Sequence, residues 1–201
     1  MEPAHLIVFN LTLLAAIAAP GPSILFLIRA TLSNGRRVGV ITAAGLGCMA
    51  AAWTLAALLG LDSLFNLFPW AYATLKTLGA LYLIWIAIST WRSAHAPVGE
   101  APVPSGRRAF LSGLMVNLGN PKSVIFAAAV IIVIFPPDLT GADKALIVAN
   151  HLLVELTVQP LLAVLISTNI VRNRYLNAKP LLDRFAAAVL GTLGLRLLIE
   201  R

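Results

Sequence analysis

Two proline-containing segments interrupt long apolar stretches of the sequence, and polar residues accompany both of them. The residues of these segments are Pro20, Gly21, Pro22, Ser23, Asn120, Pro121 and Lys122. Proline lacks the N–H that a helix needs and clashes with the preceding turn, so each segment should break a helix. Freed N–H groups bind anions and freed C=O groups bind cations. An amino acid carries both charges, so a substrate site is predicted here, with Asn117 on the same helical face as Asn120.

Three ionisable residues fall inside apolar stretches that are long enough to cross a bilayer. They are Lys76, Lys122 and Glu155. A charge at the bilayer centre costs roughly 2.5–3.5 kcal/mol on an insertion scale, so each residue needs pairing, neutralisation or water. Glu155 is expected to pair with Lys122 or Lys76. We interpret Glu155 as a proton-coupling group, with a structural salt bridge as the alternative interpretation.

His151 lies four residues before Glu155, so the two side chains share one helical face. Such a pair can serve as a proton relay or as half of a metal site. No further His or Cys stands at a suitable spacing, so no metal is expected. We interpret His151 as a residue near the outer surface. Gln159 and Pro160 add another polar group and a kink to the same predicted helix.

The composition is that of an integral membrane protein. Of the 201 residues, 59% are hydrophobic and only 11% are charged, and the mean hydropathy is +0.89. A soluble domain has about 25% charged residues. The net charge is +7, and the charged residues lie mainly between the apolar stretches. This distribution is typical of a signal that sets membrane topology and does not favour nucleic-acid binding. The single cysteine, Cys48, excludes an intrachain disulfide, and no cofactor is predicted.

The apolar stretches predict an all-α integral membrane fold with six transmembrane helices. A span needs about 20 mainly apolar residues, and the runs that meet this requirement are 4–29, 38–61, 66–91, 109–135, 144–168 and 181–199. Loops are expected at 33–37 and near 61–63. The first run is longer than the apolar core of a signal peptide, so it is expected to be retained as a span.

The six predicted helices form two inverted three-helix repeats within one transporter domain, residues 1–201. PGPSILF at 20–26 aligns with NPKSVIF at 120–126, in helices one and four, which are both broken by Pro. LGALYL at 78–83 aligns with LGTLGL at 190–195, in helices three and six. Inverted repeats are common in secondary transporters. The first repeat, the flexible cytoplasmic linker and the second repeat are placed at 1–92, 93–108 and 109–201.

Basic residues predict the orientation of these helices. Ten of the 15 Lys and Arg residues lie in or next to the first, third and fifth of the loops that join the six predicted helices. They are Arg29, Arg36, Arg37, Arg92, Arg107, Arg108, Arg172, Arg174, Lys179 and Arg184. Loops rich in Lys and Arg face the cytoplasm, so both termini are expected outside.

Small residues recur every four positions in the second predicted helix. They are Gly39, Ala43, Gly47 and Ala51. Such a pattern lets helix backbones approach closely. It therefore predicts tight packing and permits a homodimer.

Over nearly its whole length the sequence resembles the LysE/RhtB family of lysine-exporter and homoserine/threonine-resistance translocators. The motifs that carry the resemblance are PGP at 20–22, NGRRVG at 34–39, LKTLGALYLIWIA at 75–87, NLGNPKSVIF at 117–126 and LDRFAAAVLGTLGLRLL at 182–198. The resemblance implies a multi-pass protein of the bacterial inner membrane that exports amino acids or related small metabolites, driven by the proton gradient. It supports, as the central site, Pro20, Gly21, Pro22, Asn120, Pro121 and Lys122. Ser23 stands where the family often has Asn, and Ile132 stands about where a Pro is expected.

The predicted function is therefore secondary active export by alternating access, with an amino acid and protons as partners in a lipid bilayer. The alternative is an ion or divalent-metal exporter on the same scaffold, which would depend on a divalent cation and respond to His151→Ala. An enzyme is not predicted, because no nucleophile stands beside a base and no HExxH-type motif is present.

Overall fold

The structure is a computed structural model that describes residues 1–19, 21–67, 71–92, 94 and 108–199. These residues form helices joined by short turns, with no strand among them, so the all-α prediction is confirmed for this part of the chain. The helices are α1 (Pro3–Ala18), α2 (Pro22–Leu67), α3 (Ala71–Arg92), α4 (Ala109–Leu118), α5 (Pro121–Ile134), α6 (Gly141–Ile166) and α7 (Asn169–Ile199). Most of the predicted linker 93–108 lies outside the described residues.

Within the described ranges, two helices are long and apolar enough to cross a bilayer, Ser23–Gly60 within α2 and Gly141–Ile166. The pair Ala109–Leu118 and Lys122–Ile134 is bent by 72° at its break and adds a third span if the two helices are taken together. Helix α1 is also apolar but has only 16 residues. The length and composition of these helices agree with a membrane protein.

Helices end and begin at both proline segments. Helix α1 ends at Ala18 and α2 begins at Pro22, with the Gly21 N–H donating to the Ala19 carbonyl oxygen at 2.7 Å. Helix α5 begins at Pro121, directly after the two residues that follow α4. Proline is tolerated at the first position of a helix, because the N–H of that position has no intrahelical partner. Pro22 and Pro121 therefore each start a helix.

Helix α2 contains the end of the first predicted span and the whole of the second, with a kink between them. Gly35 has a φ of +82° and a ψ of 169°. Glycine adopts this positive φ without steric cost, so the predicted loop at 33–37 narrows to a single non-helical residue. The loop predicted near 61–63 is wrong, because α2 continues to Leu67. The aspartate and serine there are only weak helix breakers, and the next proline is Pro69.

Helix α2 crosses α4 where two glycines let the backbones touch. A Cβ on Gly45 would fall onto the carbonyl oxygen of Phe110, and a Cβ on Gly113 would fall onto the carbonyl oxygen of Thr42. Leu46 is fully buried beside this crossing. Only hydrogen at these two positions permits so close an approach. The crossing fixes α4, and the break that follows it, against α2.

The small-residue pattern of α2 packs inside the chain. Ala43 and Ala51 are buried, and a Cβ on Gly47 would lie 2.9 Å from the Cβ of Glu155 on α6. Gly39 faces a threonine of α2 itself. The pattern therefore packs α2 against residues of the same chain. The homodimer that the pattern permits stays a prediction.

Helix α6 begins with a capping box. The Asp143 N–H donates to Thr140 Oγ1 at 3.1 Å, and the Thr140 N–H donates to Asp143 Oδ2 at 3.1 Å.

We expect Thr140→Val to lower the unfolding temperature by about 2–4 °C, because losing an N-cap costs about 1 kcal/mol. Thermal unfolding of the purified protein in detergent measures the shift. Thr157→Val, on the exposed face of α6, is the matched control, and an equal shift in both variants would contradict the capping role.

Candidate functional site

A cavity of about 90 Å³ lies beside both helix breaks. Its apolar wall includes Leu13 and Ile17 of α1 and Phe126 of α5. The residues predicted for the site that line this cavity are Gly21, Ser23, Asn117, Asn120, Lys122, His151, Glu155 and Gln159. Such a space holds several water molecules. The fold thus gathers polar residues from α2, α4, α5 and α6 around one cavity.

The structure describes the other predicted site residues only in part. Pro22 and Pro121 are the first residues of α2 and α5. Pro20 lies outside the described residues, and for Lys76 the structure describes only a backbone position in α3.

The two breaks are joined by side-chain hydrogen bonds. Asn120 Nδ2 donates to Ser23 Oγ at 2.9 Å, and the Lys122 N–H donates to Asn120 Oδ1 at 3.1 Å. Asn120 therefore caps α5 and holds the start of α2 beside it. A Cβ on Gly21 would lie 3.4 Å from Lys122 Nζ, so the ammonium group of this half-buried lysine lies close to the first break.

Glu155 lies in a polar row on one face of α6. His151, Glu155 and Gln159 are each 4% exposed. His151 Nε2 lies 3.4 Å from Glu155 Oε1, and Gln159 Nε2 donates to Glu155 Oε2. The expected pairing of Glu155 with Lys122 is not present in this structure. The partners of Glu155 are instead an imidazole and an amide of its own helix, because residues four apart on a helix meet on one face.

The prediction that His151 lies near the outer surface is wrong. Its ring packs edge-on against Phe9, with the ring centroids 5.5 Å apart, and its Nδ1 lies 2.7 Å from Thr54 Oγ1. Both partners come from other helices, α1 and α2. His151 is therefore a buried neighbour of Glu155 within the cavity wall.

Two buried carbonyl oxygens in the cavity wall have no hydrogen-bond partner within the described residues. They are Asn117 Oδ1 and Gln159 Oε1. Asn117 Nδ2 donates to the Leu46 carbonyl oxygen at 2.6 Å, so its amide is satisfied on one side only. Buried polar atoms in native proteins nearly always have a partner. These two oxygens therefore mark places where a ligand or water completes the site.

Sequence analysis missed a second buried charged cluster. Lys179 Nζ donates to Asp183 Oδ2 at 2.8 Å and to the Ala94 carbonyl oxygen at 3.0 Å. The charge of Asp183 also acts on the Lys122 ammonium group. Lys179 had counted only as a topology signal, although an oppositely charged pair four residues apart on a helix is recognisable in a sequence.

The cavity wall is continued towards the N terminus by side chains of α1 and α6. Asn10 and Asn150 form a reciprocal amide pair, in which Asn10 Nδ2 donates at 3.3 Å and Asn150 Nδ2 donates at 2.6 Å. Phe9 also lies with its ring centroid 5.5 Å from that of Phe135. This paired and aromatic layer begins one turn before the cavity-lining Leu13.

Metal ligation finds no support in the part of the chain that the structure describes. No group of three or more His, Cys, Asp or Glu side chains that could hold a metal ion occurs there. His151 and Glu155 alone supply two ligands, and a structural or catalytic zinc site uses at least three from the protein.

An all-helical membrane chain with a polar cavity beside broken helices is the kind of scaffold found in carriers of small molecules. The chain belongs to the LysE type translocator family, which it matches over residues 14–201. This confirms the family resemblance drawn from the motifs, and it identifies the protein as a membrane transporter with no evidence of enzymatic activity.

Several curated relatives extend this comparison. The chain is 28% identical over 195 residues to the threonine efflux protein of Escherichia coli (strain K12), covering 94% of each. It is 26% identical over 184 residues to the leucine efflux protein of Enterobacter sp. (strain 638), covering 88% of this chain and 85% of the relative. It is 35% identical over 113 residues to the homoserine/homoserine lactone efflux protein of Salmonella typhimurium, covering 55% of each. No solved structure matches the chain.

Proposed function

We propose that this protein exports amino acids or closely related small metabolites across the bacterial inner membrane, in exchange for protons and by alternating access. The observation that carries the proposal is one cavity that is lined by both Lys122 and Glu155. The relatives are named for efflux of threonine, leucine and homoserine, which agrees with this substrate class.

The proposed architecture is six spans arranged as two inverted repeats, with both termini outside. The two helix breaks support it, because the break between α1 and α2 and the break between α4 and α5 stand at corresponding places in the two halves of the chain. The first span would then be α1 with the start of α2, and the fourth would be α4 with α5. Backbone that is not helical at membrane depth is tolerated where it lines a cavity, which is where both breaks lie.

The substrate carboxylate is assigned to the side of the cavity formed by Lys122. The ammonium group of this lysine lies close to the first break. The N-terminal end of α5 starts at the neighbouring residue, and such an end attracts negative charge. Two positive features therefore converge on one side of the cavity.

Proton coupling is assigned to Glu155, the one carboxyl group among the described residues that line the cavity. Its neighbours His151 and Gln159 are groups that can adapt to either protonation state of a carboxyl. A carboxyl that meets the substrate cavity can exchange its proton on whichever side the cavity opens.

Transport by reconstituted protein tests this function. Vesicles made acidic inside should accumulate labelled L-threonine, L-homoserine or L-leucine as protons leave, and a protonophore should abolish the accumulation. Uptake of all three no faster than in protein-free vesicles would contradict the proposal. Transport that requires a divalent cation would support the metal-exporter alternative instead.

Replacing Lys122 by glutamine should weaken substrate binding by about tenfold or more, because a hydrogen bond to a charged group contributes about 1.5–3 kcal/mol. The half-saturating substrate concentration in counterflow measures this loss. Lys144→Gln is the control, since Lys144 does not line the cavity. Equal substrate affinity in Lys122→Gln and the wild type would remove Lys122 from the site.

A further inference from the structure

The two unpartnered oxygens of the cavity wall are deeply buried. Asn117 is 2% exposed and Gln159 is 4% exposed, and both residues line the cavity. Neither Asn117 Oδ1 nor Gln159 Oε1 accepts a hydrogen bond from the described residues. The two residues come from different helices, α4 and α6, and both contribute to the wall of the same cavity. This pair of acceptors calls for a donor that the protein does not supply.

The orientation of the Asn117 amide is fixed by chemistry. Its Nδ2 lies 2.6 Å from the carbonyl oxygen of Leu46. A carbonyl oxygen only accepts hydrogen bonds, so the amide nitrogen must face it. Asn117 Oδ1 is therefore the atom left over for the cavity in every protonation state of the protein.

The orientation of the Gln159 amide depends on Glu155. An ionised carboxylate only accepts, so Gln159 must turn its nitrogen to Glu155 and leave Oε1 over, as in this structure. A protonated Glu155 has an O–H to donate. The amide can then turn over, so that Oε1 accepts from Glu155 and the nitrogen is the atom left for the cavity.

We propose that Asn117 Oδ1 and Gln159 Oε1 bind the ammonium group of the substrate, and that protonation of Glu155 reverses the Gln159 amide and withdraws one of these two acceptors. The inference rests on the proposed function and refines it. An ammonium group is repelled by Lys122 and attracted by carbonyl oxygens near the ionised Glu155. The substrate therefore lies with its carboxylate towards Lys122 and its ammonium group towards Asn117 and Gln159.

This arrangement couples proton binding at Glu155 to substrate binding through the amide of Gln159, which carries no charge itself. Among the residues that the structure describes, the titratable groups near Glu155 are His151 on its own helix and Lys122 on α5. The charge of Asp183 of α7 acts in turn on Lys122. The lining residues of α1 are apolar, and α2 presents Gly47 to Glu155 and Thr54 to His151. Substrate affinity is high while Glu155 is ionised and falls when Glu155 is protonated. An inward proton gradient then favours loading inside, where the pH is higher, and release outside.

Competition in counterflow across reconstituted vesicles tests the inference with the full-length protein. The labelled probe is L-threonine, and the competitor is 2,3-dihydroxybutanoate, in which a hydroxyl replaces the ammonium group. Gln159→Met and Asn117→Leu should each raise the half-saturating threonine concentration about tenfold or more, the effect of one lost bond to a charged group. The potency of the competitor should change much less. Thr157→Val on the exposed face of α6 is the matched control.

The same assay at several pH values tests the coupling. The half-saturating threonine concentration of the wild type should rise as the pH falls, and in Gln159→Met it should stay nearly constant. Equal weakening of threonine and the dihydroxy competitor, or an unchanged pH dependence in Gln159→Met, would overturn the inference while leaving the exporter function in place. Because Asn117 and Gln159 lie on different helices, misfolding of one variant leaves the other as a test. Absence of wild-type counterflow for threonine, homoserine and leucine alike would overturn both proposals.

Discussion

Glu155→Gln should abolish proton-driven accumulation of substrate while preserving exchange of labelled for unlabelled substrate. Glutamine keeps the shape of the side chain, and its amide can still bond to Gln159 and His151, so the cavity should stay intact. It cannot carry a proton across the membrane, however. We expect uptake into vesicles that are acidic inside to fall to the level of protein-free vesicles. Counterflow at equal pH and saturating substrate should stay within about threefold of the wild type, a change of under 1 kcal/mol.

The control for this experiment is Asp138→Asn, which removes an exposed carboxyl after α5. It should retain both activities. Retained proton-driven accumulation in Glu155→Gln would reject Glu155 as the coupling group. Loss of counterflow as well would show that its carboxyl is needed to hold the substrate itself, in which case the division between coupling and binding would be wrong.

Gly45→Ala should prevent the helices around the cavity from assembling. The added Cβ would fall onto the carbonyl oxygen of Phe110 and would lie 3.0 Å from the backbone nitrogen of Leu114. Backbone atoms cannot move aside as a flexible side chain does, so α4 must be displaced. Overpacking costs about 1–3 kcal/mol and occasionally more, and we expect the upper end here. Yield, elution as a single species and thermal unfolding in detergent measure the loss.

Gly60→Ala is the matched control on the same helix. No heavy atom lies within 4 Å of a Cβ placed on Gly60. Alanine is a better helix former than glycine by roughly 1 kcal/mol, so this variant should be as stable as the wild type or slightly more so. Gly113→Ala should repeat the loss of Gly45→Ala from the opposite helix. Wild-type stability in both Gly45→Ala and Gly113→Ala would mean that α2 and α4 do not touch there.

The helix ends at the two breaks were predictable because proline acts locally. Pro22 and Pro121 lack the N–H that would continue the preceding helix, and each begins a new helix. Pro160 and Pro180 lie inside α6 and α7, so a proline marks a candidate break that the surrounding residues must still allow. The loop expected near 61–63 failed for the complementary reason. Asp and Ser disfavour a helix only weakly, so packing against neighbouring helices decides whether the helix continues through them.

The surroundings of the polar groups could be predicted less well, because they depend on residues far away in the chain. His151 is buried by Phe9 and Thr54, which come from α1 and α2. Their contact with α6 follows from how the helices pack, and periodicity does not report it. Counting charges led to an expected lysine partner for Glu155. In the structure Glu155 bonds to Gln159 and not to Lys122, whereas the side chain of the other candidate, Lys76, lies outside the described part of the chain.

The amide pair of Asn10 and Asn150 carries no net charge. Moving one elementary charge through the membrane potential involves about 2.3 kcal/mol per 100 mV, whereas the parting of two neutral amides involves none of this energy. Each net hydrogen bond contributes only about 1 kcal/mol, so thermal motion suffices to separate them. The Asn10–Asn150 pair itself is therefore indifferent to voltage and to acidity, and sensitivity to either must come from ionisable groups, such as His151 beside Phe9.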